Sequence, residues 1–123
     1  MTIEVIADAM NDMGLEYDCM ERKSDPVYPY FTGEYSETPP VSEDGMQECT
    51  FILNGFSRDT WLSLEEAKNT IKEYFDRTNG RTVRTAEGHV VAVFYENSFP
   101  VPTGDKELKR IQINLTIKEW SVK

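Results

Sequence analysis

His89 is the only histidine in the 123 residues, so any Ser–His or Cys–His pairing would have to use it. It opens a run of apolar residues just after Ala86-Glu87-Gly88, a position where a solvated polar side chain is usual. The two cysteines, Cys19 and Cys49, belong to no CxxC, and one histidine with two separated thiols is too soft-ligand-poor for zinc. Both sit at apolar phases of predicted strands, so they read as buried free thiols. Glu43–Asp44 and Glu65–Glu66 are the adjacent acid pairs. On a loop or near a helix start, such neighbours serve as solvated charges or dipole partners. Asp76 to Gly80 (DRTNG) has too few oxygens for a calcium loop, and there is no P-loop or GxGxxG. No catalytic, metal-ligating or cofactor-binding residue is assigned, and the chain reads as a non-enzyme.

Surfaces then become the candidates for function. Tyr28, Tyr30, Phe31 and Tyr35 fall in one extended segment, where tyrosines suit either a core or a subunit contact. Trp61 precedes the main predicted helix and is expected to plug its end against a sheet. Trp120 falls on the polar phase of the last strand, which hints at a partner or a covering helix. Phe99 lies in a turn-rich segment, and Glu43 and Asp44 in an acidic loop. These nine residues are the interface candidates.

The elements that position them are organised around Glu48–Arg77. Cys49, Phe51 and Leu53 alternate with Thr50, Ile52 and Asn54, giving a strand with one apolar face that Asn54-Gly55 should end. Ser63-Leu64-Glu65-Glu66 fits a capping box. Leu64, Ala67, Ile71, Tyr74 and Phe75 then form one helical stripe, and Asn79-Gly80 supplies a left-handed stop. Upstream, the pattern predicts a helix over 3–13 ended by Gly14, then a short strand at Leu15, Tyr17 and Cys19. Pro29 bars a central strand position before Tyr30, and the residues after it can pair. Residues 37–45 (ETPPVSEDG) read as a loop between the arms of a long hairpin. Downstream, 81–85 and 89–95 form a second hairpin, 97–106 a loop, and Ile111, Ile113, Leu115 and Ile117 a half-buried last strand. The sum is a single α+β domain over 1–123. It has one antiparallel or mixed sheet of about five to six strands, with two helices packed on one face.

Thirteen basic and 22 acidic residues leave a net charge of −9. That balance argues against a phosphate-binding surface and against an anionic membrane. No run approaches the roughly 20 apolar residues of a membrane-spanning helix. The first residues, with Glu4 and Asp8, lack the basic start of a signal peptide, so the sequence predicts a cytosolic chain.

The order helix, YPYFTGEYS, acidic loop, TFILNGFSRDTW, LEEAKNTIKEYF, hairpin and IQINLTIKEW resembles the small tail-terminator (tail-completion, head–tail joining) proteins of long-tailed phages and prophages of Gram-positive hosts. The resemblance spans nearly the whole chain and rests on element order rather than on a diagnostic motif. It implies an α+β subunit that closes into a ring, commonly of six. Such a ring caps the major tail tube protein, stops its polymerisation and meets the head-side connector. It works without cofactor or turnover. The subunit would occupy the host cytoplasm during assembly and the virion neck afterwards. It would bind no specific nucleic acid, although DNA passes through the ring. The alternative is a small acidic adaptor that recognises a basic protein.

Overall fold

The chain folds as two helices on one face of a mixed six-stranded sheet. A computed structural model describes residues 2–19, 28–37, 46–58, 60–76, 80–84 and 88–121. In chain order the elements are α1 (Thr2–Asp12), β1 (Glu16–Cys19), β2 (Tyr30–Glu37), β3 (Met46–Ser57), α2 (Trp61–Tyr74), β4 (Arg81–Arg84), β5 (His89–Val101) and β6 (Lys109–Ser121). The strand order is β1-β2-β3-β6-β5-β4. β1 runs parallel to β2, and every other neighbouring pair is antiparallel.

The period-2 pattern sets the inner face. Cys49, Phe51 and Leu53 of β3 pair with Ile117, Leu115 and Ile113 of β6, and all six are buried. Val91, Val93 and Tyr95 of β5 continue this face. Val5, Ile6, Ala9 and Met10 of α1 and Ala67 and Ile71 of α2 close over it. Val5 and Ala9 line one cleft with Val83 of β4, while α1 packs on β1. A sheet that offers both outer strands to one helix must curl around it.

β3 does not stop at Asn54-Gly55 but continues to Ser57. Gly55 is there for space rather than for a turn: a Cβ on it would lie 2.5 Å from Phe31 Cε1 and 2.9 Å from Ile111 Cγ2. The absent side chain lets the Phe31 ring approach the neighbouring strand closely.

The predicted loop 97–106 also shortens. β5 runs on to Val101 after a register shift between Tyr95 and Asn97. The bulge flips the side-chain phase and hides the strand from a pattern reading. Pro100 is tolerated because β4 pairs only with Val90–Val93, which leaves the far end of β5 an edge.

α2 starts earlier than the capping box predicts. Thr60 is the N-cap, and its Oγ1 accepts from the Ser63 amide at 3.2 Å. Ser63 instead sits in the first turn and donates its hydroxyl to the Thr60 carbonyl at 2.9 Å. The helix ends at Tyr74 with Phe75 as C-cap, five residues before Gly80, which holds the left-handed φ of +64°. The Phe75 carbonyl accepts from the Tyr95 amide at 2.8 Å, so the end of α2 is clamped to β5.

Candidate functional site

The interface candidates separate into buried and exposed groups. Tyr30 and Phe31, read as possible contact residues, are core residues at 1 % and 0 % exposure, so their rings offer no surface. Phe31 falls on the inner face over Gly55. Tyr30 falls on the other face, and its hydroxyl donates to Asp18 at 3.0 Å. Tyr28 is half-buried and its hydroxyl bonds Arg58. Tyr35 is partly exposed and stacks on Phe51, with ring centroids 6.4 Å apart. Trp120 is half-buried on the helix-free face, between Met46 and Val90 in register. Glu43 and Asp44 lie outside the described residues.

Trp61 does not plug the sheet. It is the first residue of α2 and is 44 % exposed, because the helix is capped three residues, nearly a full turn, before the predicted cap. Leu62, beside it, is exposed at 66 %, and Phe99 at 45 %. Leu62 was missed by sequence reasoning, since the shifted helix start takes it off the buried stripe. Trp61 and Leu62 open α2 at one end of the sheet, whereas Phe99, in register with Gln112, falls on the helix-free face. Phe99 pairs with Gln112 two residues before Val101, and Val101 lines a shallow groove with Trp61.

That end carries positive charge in an acidic chain. Lys106 and Lys109 line the Trp61 groove. Asp105, also in it, is engaged by Arg58 at 3.4 Å. The amide of Glu107, donating at 2.9 Å, and then Arg58 hold the Asp105 carboxyl below its ordinary value. The hydrogen bond to Tyr28 is the largest cause raising Arg58 further. Arg110 donates to Asn54 at 2.7 Å and lies over Phe56 at 5.8 Å.

The opposite end of α2 holds a cleft of about 220 Å³. Its floor is apolar, from Val5, Ala9, Phe75 and Val93, and Asp8, Asp12 and Arg81 stand at its rim. Glu4, Asp8 and Asp12 fall at i, i+4 and i+8, one exposed acidic stripe along α1. The Arg81 guanidinium sits 4.1 Å from the Tyr74 ring centroid. Burial is the main cause that raises the Tyr74 phenol, with Asp12 adding to it and Arg81 opposing.

On the helix-free face the strands carry a polar ladder. Gln112 donates to Asn114 at 3.1 Å, Asn114 to Asn97 at 2.7 Å, and Thr116 to Glu96 at 2.9 Å. Such pairs fix strand register.

His89 begins β5 and is half-buried. Cys49 is buried on the inner face of β3. Among the described residues, no three His, Cys, Asp or Glu side chains are grouped to hold a metal ion. No helix among them is long and apolar enough to cross a membrane. No family model matches the chain, and no curated protein matches it.

Proposed function

We propose that this chain is a structural virion protein of the tail-terminator kind. In this reading it closes into a ring of six, caps the tail tube, stops its growth and joins it to the head connector. It acts through protein surfaces and turns over no substrate. The carrying observation is the exposure of the adjacent Trp61 and Leu62 at the start of α2. Large apolar side chains in a group mark a surface built to be covered by protein. The resemblance in element order supports the tail role, and the −9 charge is compatible with a ring that lets DNA pass without holding it. Repulsion would act over roughly 8–10 Å at ordinary salt. The subunit would be made in the host cytoplasm and end in the virion neck. Light scattering tests this directly. Rings should form at high concentration or on addition of tail tube protein, and a strict monomer under both conditions would overturn the reading.

A second reading is favoured by the acid-rimmed cleft at Asp8 and Asp12: an adaptor that takes a basic protein segment. It predicts capture of one basic host protein by a monomeric chain, and D8K would abolish that capture.

A further inference from the structure

We infer that the Trp61 end of one copy docks into the acid-rimmed cleft of a second copy, a head-to-tail contact that repeats around the assembly. This inference deepens the ring reading and rests on it only for closure of the ring. The occupant is a second copy because the two surfaces differ in the sign of their excess charge, and one presents an exposed indole where the other presents an apolar floor. The Trp61 groove brings an exposed indole beside Lys106 and Lys109, with the charge of Asp105 engaged by Arg58. The cleft brings an apolar floor with Asp8 and Asp12 at its rim against the single cation Arg81, which lies over the Tyr74 ring, and Glu4 further along the same stripe. Its 220 Å³ exceeds the roughly 150 Å³ of an apolar cavity that takes up benzene, so one aromatic side chain fits. Trp and Arg are the side chains that most often anchor such contacts.

Position makes the contact intermolecular. Trp61 begins α2, and Tyr74 and Phe75, which line the cleft, end it. At 1.5 Å per residue the two surfaces lie about 20 Å apart on one rigid helix. A molecule therefore cannot fill its own cleft. Two different patches meeting give a heterologous interface, which propagates and closes into a ring when the rotation allows. Opposite charges at the two surfaces set the orientation and disfavour like ends meeting.

The test uses two variants at exposed positions, W61A and D8R, with circular dichroism to check that each folds. W61A lacks the knob and keeps the cleft, whereas D8R keeps the knob and blocks the cleft. Sedimentation velocity should show the wild type growing beyond a dimer with concentration, and each variant alone weakened about thirtyfold or more. An equimolar mixture should give a one-to-one dimer and nothing larger, because D8R's Trp61 enters the cleft of W61A. Variants that assemble like the wild type would sink this interface and leave the ring reading standing. A mixture that stays monomeric, or a wild type monomeric at every concentration, would overturn the inference as well. Head-to-tail chains that both variants block, but that leave tail tubes untouched, would uphold the contact and refute the tail role.

Discussion

The Tyr74 hydroxyl donates to Asp12 across 3.3 Å, tying the last turn of α2 to the last residue of α1. The two helices otherwise meet through the core they share on the sheet. Tyr74 and Asp12 both line the cleft, so the proposed docking depends on their spacing.

Tyr74→Phe keeps the ring under Arg81 and removes only the hydroxyl. It should cost about 0.5–1.5 kcal/mol in urea unfolding, the ordinary worth of one hydrogen bond. The phenol is raised in the folded state, chiefly by burial, so stability is full below the ordinary value of 10.0 and falls as pH rises through the higher folded value. The variant should lose that alkaline decline. An unchanged pH profile would assign the decline to another group.

Gly55→Ala should destabilise by about 1–3 kcal/mol, the usual cost of overpacking a filled core. Its Cβ would fall against both Phe31 and Ile111, neither of which has room to retreat. Thermal unfolding measures this, and a neutral outcome would mean that β2 and β3 slide apart more easily than their packing implies.

Asp105 should titrate below an ordinary aspartate. The Glu107 amide and then Arg58 stabilise its charged form. Because the folded value is depressed, its contribution is present above the unfolded value and is lost as pH falls through the folded one. A carboxyl chemical-shift titration by NMR gives the midpoint, and R58A should move it upward. A midpoint at or above the ordinary 3.8 would remove Asp105 as the acid that fixes the Trp61 groove.

Core and surface aromatics should part company. Phe51 is fully buried, and F51A should cost about 3–5 kcal/mol. Phe99 is exposed, so F99A should stay within about 0.5 kcal/mol in the isolated chain. Chemical denaturation of the two variants separates a packing role from a contact role.

Much of this architecture is legible in the residues. The strict alternation of β6 and the stripe Leu64, Ala67 and Ile71 declare a sheet face and a helix that covers it. β2 pairs antiparallel with β3, and β4 with β5, as the two predicted hairpins require. What misleads has a local cause in each case. Gly55 reads as a turn, yet it marks a close approach by Phe31. Ser63 reads as the cap, yet Thr60 three residues earlier takes the bond, and Trp61 and Leu62 are exposed as a result. The bulge after Tyr95 hides the second half of β5. Tyr30 and Phe31 look like contact residues because propensity cannot tell a core aromatic from a surface one. The cleft was not legible, since it joins residues of α1, α2, β4 and β5 that only the folded sheet brings together.

The central claim is that this chain acts by covering the end of another assembly. Polymerising the cognate tail tube protein with and without it, and measuring tube lengths by negative-stain electron microscopy, tests that claim most directly. The account predicts shorter tubes as the chain is added, each ending in a ring at one tip, with W61A failing to shorten them. Tubes of unchanged length with bare ends at every ratio would contradict it.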